Sequence, residues 1–151
     1  MDTREVVEKY FESVNAGDWD TWLTLFDENI VMDEQLAGHV EGIDVLRGAV
    51  GALKKGYSRF KNHPLEVVVE GDRAMVMWHI EAANAKGVPI DAKGVNYFMV
   101  RNGKITYMAN FHDTVPFQRA HADSADTHLS GRFDVINNQR IAKHMRKGFL
   151  V

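Results

Sequence analysis

The chain has 151 residues, of which 45% are hydrophobic and 26% charged, and its formal net charge is −3. A single globular domain is expected at this length, and the lack of a basic excess argues against a nucleic-acid partner. The absence of cysteine excludes disulfides, thiolate nucleophiles and zinc–thiolate sites. No apolar run approaches the roughly 20 residues of a membrane span, and MDTREVVEK lacks the apolar core of a signal peptide. We therefore expect a cytoplasmic protein without a membrane partner.

The N-terminal sequence predicts two helices separated by a glycine. Apolar residues recur at helical spacing over residues 3–16, and an aromatic-rich second helix is expected over residues 19–26. Gly17 allows the backbone to turn where a residue with a Cβ atom would be strained. Asp18 can accept hydrogen bonds from free N–H groups at the start of the second helix. This opening is typical of a cone-shaped α+β protein with an internal pocket.

The next segment predicts one strand and one helix. NIVMDE at residues 29–34 is a strand candidate, and a loop containing Gly38, His39 and Gly42 follows it. A third helix is expected over residues 43–55, where apolar side chains recur at helical spacing. After this helix the apolar residues alternate instead, which indicates strands.

Two hairpins are predicted in the second half of the chain. The predicted strands are residues 65–70, 73–83, 90–101 and 104–113. Gly71 lies in the turn of the first hairpin, and Asn102-Gly103, a strong hairpin signal, lies in the turn of the second. Helices followed by hairpins predict an α+β fold, in which a curved antiparallel or mixed sheet wraps over three N-terminal helices.

The C-terminal part differs in character from the rest. Residues 118–151 are expected to extend a domain formed by residues 1–117. The extension begins with a polar loop, QRAHADSADTHLSGRF, and then predicts a helix over residues 134–147, with Asp134 as its N-cap. The apolar content of this helix is too small for a separate core. We expect the helix to dock on the main domain or on a second subunit, and a disordered tail is the alternative.

Four motifs carry a resemblance to a known fold family. They are the opening YFESVNAGD, the segment LFDENIVMDE, the third helix that Gly42 precedes, and the final hairpin VRNGKITYMANFHD. Their order resembles the SnoaL-like and ketosteroid-isomerase-like families, which share the nuclear transport factor two-like fold, over residues 4–117. Members of these families include isomerases, aldol-type cyclases, dehydratases and epoxide hydrolases. Fold alone does not choose among these activities.

The resemblance to ketosteroid isomerases implies a catalytic set. Tyr10 matches the tyrosine that binds the oxyanion, and a phenol in a dry site can stabilise a developing enolate. The second donor of the isomerases falls on Asn96, whose amide donates at any pH. Glu34 matches the general base, with Asp33 as the alternative, because neighbours on a strand face opposite ways. Among apolar walls, the pKa of the inward carboxylate is expected to rise towards neutrality.

The resemblance to SnoaL-type cyclases implies a departure from their mechanism. Those enzymes keep a histidine and an aspartate at positions that correspond to Asn96 and Asn110 here, which argues against an aspartate-based mechanism. Alternation along the strands nevertheless predicts further cavity residues. They are Trp78, Phe98, Met108 and Asn110 as ligand contacts, and His112 as a group able to move a proton near pH 7.

The other ionisable residues are expected to have structural roles, or match the catalytic residues of related families less well. Asp113 is expected to cap a strand end. His63 resembles the histidine of scytalone dehydratase, but it lies too close to the Gly71 turn for a clean match. His79 is expected to face outwards. The scattered histidines show no metal-ligand spacing, so neither a metal nor a cofactor is expected.

Two classes of function remain open from the sequence. The first is a cofactor-independent isomerase, cyclase or dehydratase that acts on a small apolar ligand through an enol or enolate. The second is a module of the same fold that binds a hydrophobic ligand or a second subunit without turnover. A homodimer through the outer sheet face is expected, because that face is predicted to carry Val67, Val69, Met75, Met77, Tyr97 and Met99.

Overall fold

The computed structural model describes residues 1–124, and the helix predicted over residues 134–147 lies outside them. In order, the helices and strands are α1 Thr3–Ala16, α2 Trp19–Thr24, β1 Phe26–Glu34, β2 Gly38–Glu41, α3 Ile43–Gly56, β3 Tyr57–Glu70, β4 Arg73–Asn84, β5 Pro89–Arg101, β6 Lys104–His112 and α4 Val115–Ser124. None of the helices in this described part is long and apolar enough to cross a membrane.

The strands form one curved, open sheet of mixed direction. Its six strands lie in the order β2-β1-β6-β5-β4-β3. Every neighbouring pair is antiparallel except β1 and β6, which run parallel. Helix α1 packs against β3, β4 and β5, and α3 packs against β1 and β3. The α+β fold expected from the sequence, with a sheet wrapped over three N-terminal helices, is confirmed.

A capping box at the start of helix α1 and a glycine at its end determine where the helix begins and ends. Asp2 accepts a hydrogen bond from the Glu5 N–H, and the Glu5 carboxylate accepts one from the Asp2 N–H, which completes a capping box. At the other end Gly17 adopts the left-handed conformation, with φ of 68°. Asp18 then caps α2 by accepting from the Thr21 N–H at 3.0 Å. The helix–glycine–helix prediction is thus confirmed, although α2 ends at Thr24.

The structure contains one strand that the sequence did not predict, and another that is longer than predicted. The predicted loop after β1 contains the short strand β2, which pairs antiparallel with the end of β1. Strand β3 follows α3 directly at Tyr57 instead of beginning at residue 65. Its first half, YSRFKNHP, is polar because β3 lies at the sheet edge, where many of its side chains are exposed. Alternation of apolar residues therefore could not reveal it.

The pairing of β3 with β4 corrects the prediction for the outer sheet face. Glu70 pairs with Arg73 across the turn, so Val69 lies opposite Ala74 and Val67 lies opposite Val76, both of which are buried. Val67 and Val69 consequently pack against the main core instead of facing outwards. The exposed apolar residues at this end of the sheet are Leu65, Val68, Met75 and Met77. Tyr97 and Met99 belong to a small buried cluster further along the same face. Pairing of two subunits through this face stays a prediction.

The segment after β6 is a helix where a polar loop was predicted. Helix α4 runs across the expected boundary between residues 117 and 118. Asp113 accepts from the Val115 N–H at 3.0 Å, so it caps the junction between β6 and α4 as its position predicted. Phe117 packs against the core, and the buried Ala120 accepts a hydrogen bond from Asn84. Phe117 and Ala120 lie three residues apart, so the same face of α4 packs on the domain.

We expect Gly17→Ala to destabilise the domain by about 1 kcal/mol, because position 17 requires a positive φ. No atom lies within 4 Å of the added methyl group, so the cost comes from the backbone alone. Gly48→Ala is the matched control. Gly48 is exposed within α3 and also has open space around it, so its replacement should stabilise the domain by about 0.5–1 kcal/mol. Urea unfolding of both variants measures the two signs, and destabilisation by both would contradict the argument.

Candidate active site

A cavity of about 420 Å³ lies between the sheet and the helices. Most of its wall is apolar, with side chains that include Met32, Leu46, Leu53, Phe60, Ile80 and Met108. Trp19 and Trp22 of α2 and Trp78 of β4 also line it. Its polar lining includes Tyr10, Glu34, Tyr57, Asn62, Asn96, Asn110 and His112. A mostly apolar hollow with a few polar groups is the usual form of a small-molecule site.

Glu34 and His112 form an ion pair inside this cavity. His112 Nε2 lies 2.7 Å from Glu34 Oε1, and the two side chains are only 3% and 15% exposed respectively. His112 Nδ1 lies 3.1 Å from the Asp113 carbonyl oxygen. Because a carboxylate and a carbonyl both accept hydrogen bonds, this arrangement favours the doubly protonated imidazolium form of His112. Glu34 Oε2 accepts from the N–H groups of Leu36 and Ala37, both at 2.6 Å.

This pairing reverses the pKa predicted for Glu34. Burial by itself raises the pKa of Glu34, but the hydrogen bond from His112 and those from Ala37 and Leu36 bring it below its usual value. Burial likewise lowers the pKa of His112, but the hydrogen bonds to Glu34 and to the Asp113 carbonyl raise it above its usual value. The expectation of a Glu34 pKa raised towards neutrality is therefore wrong. The sequence did not show that the two candidates are partners.

Asp33 occupies a separate buried site on the opposite face of the sheet. Its carboxylate is fully buried, accepts a hydrogen bond from the Tyr107 hydroxyl at 2.9 Å, and lies 2.7 Å from His39 Nδ1. Hydrogen bonds to Glu41 and Asp33 raise the pKa of His39. Of the two neighbouring carboxylates, Glu34 thus faces the cavity, as strand alternation predicted.

Tyr10 and Asn96 contribute neutral donors to the cavity. The Trp78 indole N–H donates to Asn96 Oδ1 at 2.7 Å. This bond orients the amide with its oxygen towards Trp78 and its NH₂ group away from Trp78. Burial raises the pKa of Tyr10 well above its usual range, and the Glu34 charge adds to the rise. The side-chain N–H groups of Trp22 and Asn96 lower this pKa, but by less than burial raises it. Tyr10 therefore keeps its proton at neutral pH. Phe98 lies edge-on to Tyr10, with ring centroids 5.2 Å apart, and so packs behind the cavity wall and not in it.

The other histidines named from the sequence lie outside the cavity lining. His63 Nε2 lies 3.3 Å from Glu81, and His79 Nε2 lies 3.0 Å from Asp91, both on exposed sheet surface. Residues 1–124 contain no group of histidine and carboxylate side chains that could hold a metal ion.

Asn62, Trp22 and Phe117 are among the cavity residues that the sequence did not identify as site candidates. Asn62 lies in the half of β3 that the apolar pattern did not reveal, and only its pairing with Ile80 shows that it faces inwards. Trp22 was assigned to the second helix without a site role. Phe117 of α4 lines the cavity and packs against His112, with ring centroids 5.2 Å apart. Its position depends on a helix that the polar sequence did not predict.

Comparison with known proteins assigns the family. The sequence model of the SnoaL-like domain matches residues 7–108, which is more than half of the chain. The chain belongs to the SnoaL-like domain family. No curated protein matches this SnoaL-like domain in sequence.

Solved structures share the fold of this SnoaL-like domain at low identity. An NTF2-like protein of unknown function from Burkholderia pseudomallei K96243 has a TM-score of 0.73 and 16% identity, over 80% of this chain and 97% of that one. A proposed polyketide cyclase from Pseudomonas putida KT2440 has a TM-score of 0.70 and 20% identity, over 80% and 98%. TerC, co-crystallised with polyporic acid, has a TM-score of 0.71 and 18% identity, over 78% and 96%. At these identities the likeness shows the fold alone.

The stability of this SnoaL-like domain should depend on pH through the ion pair. The lowered pKa of Glu34 stabilises the fold above pH 4.5, and this contribution is lost as the pH falls through the folded-state value. The raised pKa of His112 stabilises it fully below pH 6.5, and this contribution is lost as the pH rises through the folded-state value. The cost of Glu34→Gln should therefore be greatest between pH 4.5 and 6.5, at about 3 kcal/mol.

Urea unfolding of wild type and Glu34→Gln below, within and above this pH window measures the difference. Replacement of the exposed Glu28 by glutamine is the control, and its effect should be small at every pH. A Glu34→Gln cost that does not change with pH would show that the ion pair is not the source of the stability.

Gly94 should be essential to the geometry of this SnoaL-like cavity. A Cβ atom at position 94 would lie 2.5 Å from the Phe111 carbonyl oxygen, 2.6 Å from His112 Cβ and 2.7 Å from Trp78 Cη2. Because one of these atoms is backbone, Gly94→Ala must displace a strand, and we expect a loss of about 1–3 kcal/mol. The displacement should also lower the raised His112 pKa, measured by NMR titration of the ring. Gly51→Ala, in open space on α3, is the control. An unchanged titration in a folded Gly94→Ala protein would contradict this role.

Proposed function

We propose that this SnoaL-like domain is a cofactor-independent enzyme that performs acid–base chemistry on an apolar ligand through an enol or enolate. The reaction would be of the isomerase, cyclase or dehydratase type. The observation that carries this proposal is the Glu34–His112 ion pair inside an apolar cavity that Tyr10 and Asn96 also line. A charged pair and neutral hydrogen-bond donors in one dry site are what proton transfer beside a carbonyl requires.

His112 has the role of keeping Glu34 ionised. Burial among apolar walls would otherwise raise the pKa of this carboxyl, and a protonated Glu34 could not accept a proton. The ion pair makes Glu34 a weaker base than a free carboxylate. A weak carboxylate base is sufficient when hydrogen bonds stabilise the enolate that it generates. Stabilisation of the enolate lowers the free energy of the proton transfer, so a strong base is not required.

The proton transfer follows from this arrangement. Glu34 takes a proton from the carbon beside a ligand carbonyl, and the electron pair of that C–H bond becomes the enolate. Tyr10, whose raised pKa keeps it protonated, and the Asn96 NH₂ group donate hydrogen bonds to the enolate oxygen. Glu34 then returns the proton to another atom of the ligand, and no external oxidant or cofactor is needed.

Two further observations support a small organic ligand. The cavity volume of about 420 Å³ lies within the range of small-molecule sites. Among the solved structures of similar fold, one is a proposed polyketide cyclase and another, TerC, was crystallised with polyporic acid. Those ligands and activities belong to the other proteins, and they make an organic ring compound a sensible first choice here.

A non-catalytic ligand-binding module of the same fold is the second candidate. The amides of Asn96 and Asn110, which face each other across β5 and β6, favour it. They stand where SnoaL-type cyclases carry ionisable groups, and an amide cannot take up a proton at neutral pH. Turnover discriminates the two candidates, since a binding module would hold the ligand without moving a proton.

Exchange of α-hydrogens for deuterium tests the enzyme proposal without knowledge of the natural substrate. We expect the domain to accelerate exchange into 2-tetralone, a ring ketone, in D₂O followed by NMR. Glu34→Gln should lower the protein-dependent rate by about 10²-fold or more, because it removes the base. Tyr10→Phe should lower it by about 10²-fold, because it removes a donor to the enolate.

Glu28→Gln is the control for this measurement, since Glu28 is exposed and lies outside the cavity lining. Its exchange rate should equal that of wild type. A wild-type rate no faster than that of buffer, or a rate unaffected by Glu34→Gln, would remove the enzyme proposal and leave the binding module.

A further inference from the structure

The β1–β2 hairpin carries a polar network on each face of the sheet. On the cavity face, Glu34 Oε2 accepts hydrogen bonds from the N–H groups of Leu36 and Ala37 in the turn. On the outer face, His39 Nδ1 lies 2.7 Å from Asp33 Oδ1. In the strand register Asp33 pairs with His39, and Glu34 belongs to the next pair, which adjoins the turn. The two networks therefore occupy neighbouring positions of one short ladder.

A fully buried carboxylate is at the centre of the outer network. Asp33 has no exposed surface and accepts a hydrogen bond from the Tyr107 hydroxyl at 2.9 Å. His39 connects this carboxylate to that of Glu41, because its other ring nitrogen, Nε2, lies 2.9 Å from Glu41 Oε1. Carboxylates at both ring nitrogens favour the imidazolium form of His39. An ionised buried carboxylate is stable only with such partners, so the charge of Asp33 holds the imidazole against β1.

The turn of this hairpin contacts both members of the cavity ion pair. Besides the two N–H groups that bind Glu34, the turn provides Gln35, whose Oε1 accepts a hydrogen bond from the His112 N–H at 2.8 Å. Strand β2 has only four residues and lies at the edge of the sheet. A short edge strand makes few ladder hydrogen bonds, so cross-strand side-chain pairs contribute a large share of its attachment. The contact between His39 and Asp33 therefore influences where the turn lies.

We propose that His39 is a positioning residue for Glu34. By joining Asp33 to Glu41 on the outer face, it holds the hairpin turn in the place from which the turn N–H groups bind the Glu34 carboxylate. His39 does not line the cavity, so it acts on the ion pair through the turn. The positioning itself is a property of the fold. Its consequence for catalysis rests on the proposed function.

Removal of the His39 imidazole has a definite effect on the cavity. The turn is then free to move, and Glu34 loses the N–H groups that fix its carboxylate beside His112. A longer contact between Glu34 and His112 stabilises the imidazolium less, so the pKa of His112 falls. Direct electrostatics predicts the opposite sign, because loss of a positive charge at position 39 raises the pKa of a nearby imidazole. The sign of the change at His112 thus distinguishes positioning from a through-space effect.

NMR titration of the His112 ring in the full chain measures this change. In His39→Gln the acid dissociation constant of His112 should be about fivefold or more larger than in wild type, which is a lower pKa. His79→Gln is the matched control, because the side chains of His39 and His79 are 21% and 22% exposed and each ring lies within 3.0 Å of a carboxylate. The control should leave the His112 titration unchanged. An unchanged or raised His112 pKa in His39→Gln would overturn the inference.

Amide hydrogen exchange reports directly on the turn. The amides of Leu36 and Ala37 should exchange about tenfold or more faster in His39→Gln, because their hydrogen bonds to Glu34 open more often. The amide of Trp78, in the interior strand β4, reports on unfolding of the whole domain. Faster exchange confined to the turn would support positioning by His39. Native protection of the turn, or an equal loss of protection at Trp78, would overturn it.

Deuterium exchange into 2-tetralone measures the catalytic consequence. His39→Gln should lower kcat by about tenfold with little change in KM, because it displaces the base without touching the ligand. No exchange by wild type, together with a lower His112 pKa in His39→Gln, would remove the proposed chemistry and support this inference. Exchange that depends on Glu34, together with a native rate and a native His112 titration in His39→Gln, would support the chemistry and overturn this inference.

Discussion

A carboxylate enclosed by apolar walls keeps its charge only if partners of opposite polarity are enclosed with it. In this domain the partners of Glu34 are the His112 imidazolium and the N–H groups of Leu36 and Ala37. The end of β1, the turn after it and the end of β6 must therefore meet at one point of the cavity. Phe117 of α4 also lines the cavity and packs against the imidazole. Apolar side chains form most of the cavity wall, and the Glu34–His112 pair joins the ends of β1 and β6 there.

The one parallel pair of strands makes this meeting possible. Because β1 and β6 run in the same direction, their C-terminal ends lie at the same edge of the sheet, with Asp33 beside Ala109. The side chains of Glu34 and His112 extend from those ends into the cavity, while Asp33 extends from the other face to Tyr107. One strand end thus carries two carboxylates in two buried polar environments. Because neighbouring side chains on a strand point to opposite faces, an inward Glu34 and an outward Asp33 require the same orientation of the strand.

Sequence patterns correctly predicted the elements that depend on neighbouring residues. They failed for features that depend on contacts with residues far away in the chain. Helical spacing identified α1 and α3, and Asn102-Gly103 identified the β5–β6 turn, where both residues have positive φ. The prediction failed for Val67 and Val69, because their pairing with β4 places them on the face of the buried Val76 and Ala74. The inward residues of the site were predicted, but not the Glu34–His112 contact, which joins positions 78 residues apart. The sign of both pKa shifts depends on that contact.

The position of the tryptophans has a practical consequence. Trp19, Trp22 and Trp78 all line the cavity, and the chain contains no other tryptophan. Indole emission responds to the polarity and packing of its immediate surroundings, so the intrinsic fluorescence of the domain originates at the walls of the hollow. A guest molecule that enters will change the emission of the whole protein. The domain therefore carries its own optical reporter, and a compound library can be screened against it without a label or a known reaction.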